Sequence, residues 1–97
     1  MVKRVGTWWI RDGLNARRDE AQGFGEMLSI HSSFDWTEDH GDGAVLRRDF
    51  VETDDYTEKV DLVDLMFLCT HGSYDPDVPS TYGHAFVTWD GTVDVDD

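Results

Sequence analysis

The feature that most constrains the fold is an uninterrupted apolar run, Leu-Met-Phe-Leu-Cys, at residues 65–69. A strand that is buried on one face alternates apolar and polar residues. A continuous run is typical of a central strand that is buried on both faces of a parallel sheet. Parallel strands are joined by crossover connections, which are usually helices. The run therefore predicts an α/β fold with a covered, mostly parallel sheet.

Segments on either side of this run supply the other elements of such a fold. Residues 3–10 are rich in aromatic and β-branched residues and end at an Asp-Gly turn signal, which indicates a first strand. A helix is predicted over 16–29 with Asn15 as its N-cap and an apolar face of Ala21, Phe24, Met27 and Leu28. The shorter elements are predicted as strands at 34–37, 83–89 and 92–95, a loop at 38–43 and a short helix at 43–50.

The order strand, helix, strand, helix, strand is typical of a three-layer α/β fold with a mostly parallel sheet. A chain of 97 residues is long enough for one small domain, so residues 1–97 are predicted to form a single domain, whole or partial. Residues 94–97 end the chain without a closing helix. We therefore expect a sheet that is truncated at its C-terminal end.

The charge balance limits the partners that the chain can bind. Twenty-one acidic residues against eight basic ones give a formal net charge of −13. Nucleic acids and anionic membrane surfaces are both bound through clustered Lys and Arg, so neither is expected as a partner. Asp outnumbers Glu by 16 to 5, and Lys occurs only twice. This composition resembles that of proteins from salt-loving archaea, whose self-repulsion is screened at molar salt.

The same reasoning indicates where the protein works. A halophilic archaeon or its virus is the predicted source, with an ordinary acidic surface as the alternative. No apolar stretch approaches the length of about 18 residues that spans a bilayer, and the N-terminus leads directly into a strand-like segment without a signal-peptide pattern. We expect the chain in a cytoplasm of high salt content.

A histidine follows the apolar run, in the sequence His71-Gly72. In open α/β sheets, functional groups gather just beyond the carboxyl ends of the parallel strands. An imidazole at that position is suited to general acid–base catalysis, because it exchanges protons near neutral pH. Gly72 is predicted to turn the chain away and leave the ring uncovered. The alternative is that His71 ends the strand and makes local hydrogen bonds only.

An apolar strand that ends in His-Gly resembles the first half of the signature of caspase-like and gingipain-like cysteine peptidases. The chain is most similar to an uncharacterised prokaryotic family of that apparent architecture, and the similarity covers roughly residues 3–75. The matching residues are Trp36, Asp49-Phe50, Asp61-Leu62-Val63-Asp64-Leu65 and His71-Gly72-Ser73. The resemblance implies a caspase-like fold and a Cys–His dyad whose histidine corresponds to His71.

The nucleophile of such a dyad is the element that this sequence does not supply. In caspase-like enzymes the cysteine ends a second apolar strand after the His-Gly, whereas this chain has no cysteine after His71. Cys69 would share a strand face with His71, and it is either an inert apolar thiol or a remote candidate for the nucleophile. Whether the chain is an enzyme therefore stays open at this stage.

Two functions follow from these observations. The chain is either the His-bearing portion of a cysteine hydrolase that acts on peptides and is inactive by itself, or a non-catalytic acidic module. Such a module would associate with copies of itself or with a partner chain that completes the sheet, because a halted α/β sheet exposes an unpaired strand.

Metal and ligand sites have weaker support. Two acidic loops and a histidine pair are candidates for cations, although the overall acidity of the chain explains the loops and the ligand spacing of common zinc sites is missing. We therefore expect no metal and no cofactor. The tryptophans either line a ligand groove or pack in the core, and the adjacent Trp8 and Trp9 should point to opposite faces of their strand. The metal candidates are His40 with Asp39 and Asp42, Asp75 with Asp77, and His71 with His84.

Overall fold

The computed structural model describes residues 2–51, 58–74 and 84–94. A parallel sheet contains β1 (Lys3–Trp9), β2 (Phe34–Gly41) and β3 (Leu65–Cys69), in the order β2–β1–β3. The helix α1 (Asn15–Ser29) connects β1 to β2 and packs on one face of this sheet. The predicted α/β class with a parallel sheet is confirmed for the described residues. None of the helices in them has the length and the apolar composition needed to cross a membrane.

A second, antiparallel sheet follows the parallel one. It contains β4 (Gly72–Tyr74), β5 (His84–Thr88) and β6 (Gly91–Asp94), in the order β4–β5–β6. The backbone N–H of Val87 donates to the carbonyl oxygen of His71 at 2.9 Å, which joins β5 to the chain just beyond β3. Strands were predicted near the positions of β5 and β6, but they form their own sheet and do not extend the parallel one.

The centre of the parallel sheet is β1, so the prediction that the apolar run forms the central strand is wrong within the described part of the fold. Four consecutive residues of β1, at positions 5–8, are buried. In β3, which lies at the edge of the described sheet, Leu65 and Met66 are each 40% exposed. Gly6 and Thr7 interrupt the apolar pattern of β1, and that interruption hides its central position in the sequence.

The two faces of β1 differ in chemistry. Trp8 is fully buried on the face away from α1, in a core with Ile10 and Val45. Thr7 is also fully buried, but it and Trp9 lie on the α1 face, where both hydrogen-bond to Asp39 of β2. The two tryptophans thus point to opposite faces, as their adjacency predicts. The partly buried residues that complete the core are Phe50, Val60, Val63 and Leu68.

The helix lies close to the sheet because of one glycine. Gly25 is buried, and a Cβ on it would meet the indole ring of Trp36. Phe24 stacks on Phe67 of β3, with 4.9 Å between the ring centroids. Met27, however, is 56% exposed, so the predicted apolar face is wrong at that position.

The start of α1 also differs from the prediction. The N-cap is Leu14, with extended dihedral angles and no side-chain capping bond, and Asn15 is the first helical residue. The helix therefore begins without the side-chain cap that its sequence suggests.

Strand β2 is longer than predicted and carries a bulge. Val5 lies opposite Trp36 and Gly6 opposite Glu38, so Thr37 is an extra residue in the ladder. Beyond this bulge, Asp39 lies opposite Thr7. Residues 38–41, predicted as a loop because they are polar, are strand because this pairing with β1 overrides their local preference.

The segment after β2 covers the Trp8 face of the sheet. It forms two short 3₁₀ turns, Asp42–Ala44 and Arg47–Asp49, where the sequence predicts a helix at 43–50. Phe50 contacts Trp8 edge-on at 5.8 Å and Phe86 of β5 at 5.0 Å between ring centroids. The aromatic rings therefore connect the two sheets. A third 3₁₀ turn, Lys59–Leu62, leads into β3.

Candidate functional site

Three side chains meet beyond the carboxyl ends of β1 and β3. The imidazole Nε2 of His71 lies 2.6 Å from Oδ2 of Asp12, and its Nδ1 lies 3.2 Å from Nη2 of Arg17. These residues come from the segment after β3, the turn after β1 and the first turn of α1. We call Asp12, Arg17 and His71 the open corner. The side chain of His71 is 43% exposed, so the imidazole is within reach of solvent.

The open corner borders two adjoining cavities. The smaller has a volume of about 220 Å³ and the larger about 510 Å³. Asp12 and Trp89 line both, and Trp89 is 62% exposed. The smaller cavity is completed by Ile10, His71, Val87 and Thr88. A histidine at the carboxyl end of a parallel sheet, beside an open cleft, is the placement that the sequence predicts.

The position of Asp12 depends on a tight turn. Asp12 has φ 43° and Gly13 has φ 83°, both in the left-handed region. Asp tolerates this region better than most residues, and Gly adopts it freely. The turn reverses the chain between β1 and α1, and it leaves the Asp12 carboxylate at the sheet edge where His71 follows β3.

A second cluster at the same edge is fully paired, and we call its residues Trp9, Arg11 and Asp42 the closed corner. The Asp42 carboxylate accepts the Arg11 backbone N–H at 2.8 Å and the Nε–H at 2.7 Å, and the Nη2 atom lies 2.6 Å away. The Arg11 guanidinium lies over the Trp9 ring, 5.7 Å from its centroid. The hydrogen bond from the Arg11 backbone lowers the pKa of Asp42 more than burial raises it.

Cys69 is held away from the chemistry of the open corner. Its Sγ donates to Oε2 of Glu20 on α1 at 3.7 Å. Burial, followed by the charge and hydrogen bond of Glu20, raises the pKa of the Cys69 thiol above its ordinary value of 9.0. Because the thiolate is the reactive form, these contacts favour the inert alternative for Cys69.

The structure separates the other candidates from His71. Asp64 lies at the amino end of β3, where it accepts the Arg4 backbone N–H at 2.8 Å, and this bond lowers the pKa of its carboxyl. Trp36 packs beneath α1 and donates to the Thr7 hydroxyl at 2.9 Å. Gly72, predicted to turn the chain, is the first residue of β4 and lies opposite Phe86. Ser73 is also in β4, and its side chain lies outside the described part.

The predicted cation loop around His40 does not converge on one point. His40 lies 2.8 Å from Glu38, Asp39 accepts bonds from Thr7 and Trp9 on the other face of the sheet, and Asp42 belongs to the closed corner. Among the described residues, no three His, Cys, Asp or Glu side chains group together in a way that would hold a metal ion. Asp75, Asp77 and the side chain of His84 lie outside those residues.

Sequence reasoning missed Asp12 and Arg17 as parts of this site. The rule that led to His71 applies equally to Asp12, since it follows β1, another parallel strand. Arg17 carries no such signal, because its position depends on how α1 packs. Trp89 was considered for a groove together with the other tryptophans, and only the structure distinguishes it by its exposure.

No protein-family model matches this chain, and neither the curated proteins nor the solved structures include a significant match. The resemblance to caspase-like peptidases therefore stays a prediction that depends on the residues quoted for it.

Proposed function

We propose that this chain carries the acid–base half of a caspase-like cysteine hydrolase, with His71 as the general base and Asp12 as the residue that orients it. The observation that carries the proposal is the 2.6 Å contact between His71 Nε2 and Asp12 Oδ2 beside an open cleft. A carboxylate that accepts one imidazole N–H leaves the lone pair of the other nitrogen available as a base.

The chemistry of this pair is proton transfer. Nδ1 of His71 would take a proton from an attacking thiol or water, and the positive charge that develops on the ring would be stabilised by Asp12. The same nitrogen would then return the proton to the leaving group. Trp89 and Val87 line the cleft beside the ring, and they would supply apolar surface for a peptide substrate.

The proposal assigns the nucleophilic cysteine to a sequence other than this chain. Cys69 is the chain's single cysteine, and burial, together with the charge and hydrogen bond of Glu20, raises the pKa of its thiol and disfavours the thiolate. We therefore expect the chain by itself to leave peptide bonds intact. General-base attack of water on an activated ester is the reaction that His71 can support alone.

Hydrolysis of p-nitrophenyl acetate in molar KCl tests this proposal. We expect His71→Ala to remove most of the protein-dependent rate of hydrolysis. The rate of the wild-type protein should be lower in D₂O than in H₂O, because a proton is transferred in the step. His31→Ala is the matched control, since His31 is exposed in the turn after α1 and far in the fold from the strand ends that form the site. Equal rates for wild type, His71→Ala and His31→Ala, with unchanged circular dichroism, would exclude His71 as the base.

A second function, association with another copy of the chain, has its own supporting observation. The outer edge of β3 has no partner strand among the described residues, and Leu62, Leu65 and Met66 beside it are each 40% exposed. Parallel strands are normally covered on both faces, and an exposed apolar edge is a template for pairing. In this alternative, the chain is a non-catalytic acidic module of a halophilic archaeon or its virus.

Sedimentation velocity in molar KCl distinguishes this function from the first. If β3 pairs with a second copy, wild type sediments as a dimer, and Met66→Glu dissociates it. Ile30→Glu is the matched control, because Ile30 is 82% exposed at the end of α1, where the chain leads into β2 at the opposite edge of the sheet. A wild-type monomer at high protein concentration would exclude self-association through β3.

A further inference from the structure

The hydrogen-bond partners of His71 determine which of its nitrogens carries the proton. Arg17 Nη2 lies 3.2 Å from Nδ1, and a guanidinium group can only donate hydrogen bonds. Nδ1 must therefore be the acceptor and carry no proton. The proton lies on Nε2, which donates it to Asp12 at 2.6 Å. The geometry thus matches the Nε2-protonated tautomer, with both nitrogens engaged.

The nitrogen that Arg17 occupies is the one that the proposed function needs as a base. We infer that Arg17 is a positioning residue of the site: it holds His71 in the Nε2-protonated tautomer and covers Nδ1 until it moves away. This inference depends on the proposed function, because a covered Nδ1 matters only if His71 transfers protons. It adds a gate, namely the departure of Arg17 from Nδ1, that the proposed function does not require.

The geometry indicates which contact gives way. Arg17 makes two single hydrogen bonds, at 3.2 Å to His71 and at 3.3 Å to the Arg11 carbonyl oxygen. Both are longer than the most common distance of about 2.9–3.0 Å for N–H donors, whereas the 2.6 Å contact to Asp12 is short. Arg17 also has a long, flexible side chain. The Asp12 contact therefore orients the ring, and the Arg17 contact is the one that opens.

The other charges near this contact do not replace it. Asp12 faces the ring from the turn after β1, and Glu20 lies on the same helix as Arg17 but is bonded to Cys69. Within residues 2–51, 58–74 and 84–94, Arg17 is the cation that contacts the ring. Arg18, the next residue, pairs with Asp19 at 3.2 Å and provides a matched control for a change of charge on α1.

Carbethoxylation of His71 by diethylpyrocarbonate, quantified by peptide mass spectrometry, tests the gate, because the reagent attacks the unprotonated nitrogen. We expect Arg17→Met to speed labelling roughly two- to fivefold, the range for losing an exposed charged contact. Arg18→Met should leave the labelling rate unchanged, and Arg17→Lys should give an intermediate rate. Equal labelling of wild type and Arg17→Met would overturn the inference.

A spectroscopic measurement addresses the tautomer directly. Long-range ¹H–¹⁵N correlation spectra of the wild type should show the Nε2-protonated form of His71, and a wild-type Nδ1-protonated form would overturn the inference. Ester hydrolysis by Arg17→Met should rise by the same factor as its labelling. If Arg17→Met is labelled faster but hydrolysis is insensitive to His71→Ala, the contact between Arg17 and Nδ1 is supported and only the proposed function is excluded.

Discussion

The closed corner and the open corner lie at the same edge of the sheet, and each contains an aspartate in the left-handed region. Asp42 has φ 46° and Asp12 has φ 43°. The Asp42 carboxylate contacts three nitrogen atoms of one arginine, and its side chain is 22% exposed. The Asp12 carboxylate contacts one imidazole nitrogen, and its side chain is 64% exposed. The same backbone feature therefore serves two purposes.

The difference shows how pairing limits chemistry. A carboxylate whose two oxygens are occupied by the backbone N–H and the guanidinium of one arginine contributes to stability and has little capacity left for a ligand. A carboxylate with one partner, beside a cleft, can hold a group that itself exchanges protons. Asp42 and Asp12 should therefore respond in opposite ways to the same substitution, and the following predictions test this contrast.

The largest effect is expected on stability when the closed corner is opened. Asp42→Ala should lower the free energy of unfolding by about 2–3 kcal/mol, because it removes charged hydrogen bonds and places alanine at a positive φ. Urea denaturation measures this change, and Asp35→Ala, an exposed position on β2, is the control. A loss no greater than that of the control would mean that the corner is not closed in solution.

The next effect is kinetic and concerns the open corner. Asp12→Asn should lower the His71-dependent rate of ester hydrolysis about tenfold, since the amide can donate to Nε2 and reverse the tautomer. Its free energy of unfolding should change by no more than about 0.5 kcal/mol, because the side chain is exposed. Asp42→Asn should show the converse. If both variants lose stability and rate alike, the two corners are not distinct.

A smaller effect is expected on the pH dependence of stability. The folded state lowers the pKa of Asp42 below its ordinary value of 3.8, through the hydrogen bond from the Arg11 backbone. Its contribution is therefore fully present above the unfolded value and is lost as the pH falls through the folded one. Unfolding of wild type and Asp42→Asn should be compared between about pH 6 and pH 3. The two curves should converge at the acid end, and parallel curves would contradict this assignment.

The smallest effect concerns salt. The wild-type free energy of unfolding should rise between about 0.1 M and 2 M KCl, because salt screens the repulsion of a chain with a net charge of −13. The destabilisation caused by Asp42→Ala should change by no more than about 0.5 kcal/mol over this range, since direct, partly buried contacts are screened less. If that destabilisation disappears in salt, Asp42 and Arg11 form only an ordinary surface pair.

Much of the fold is predictable from local patterns. The strand at residues 3–10 and the helix at 16–29 are close to β1 and α1, because aromatic and β-branched residues or helical spacing mark them. The order of the strands is not predictable in this way. An apolar composition indicates how buried a strand can be, but its place in the sheet depends on the connections and on contacts distant in sequence. This is why β3 was predicted at the centre.

The site was predictable to the extent that topology determines it. His71 follows a strand with a clear sequence signature, and a general rule about strand ends marks it as functional. Asp12 satisfies the same rule, but an Asp-Gly pair in a sequence indicates a turn and gives no sign that the carboxylate is functional. Arg17 reaches His71 from a helix 54 positions earlier in the chain, so only the packing of α1 on the sheet places it there.

The bulge at Thr37 determines which face of the sheet each later side chain of β2 occupies. Side chains alternate along a strand, so one residue more or less exchanges the two faces from that point on. If Thr37 paired regularly with Gly6 and there were no bulge, Asp39 would lie opposite Trp8 instead of Thr7, and a carboxylate would enter the apolar core. The position of the bulge therefore decides which residues of β2 face the core, and the composition of the strand does not reveal it. Related chains that keep this architecture should either keep the bulge or lack the residue at position 37, since both arrangements leave Asp39 opposite Thr7.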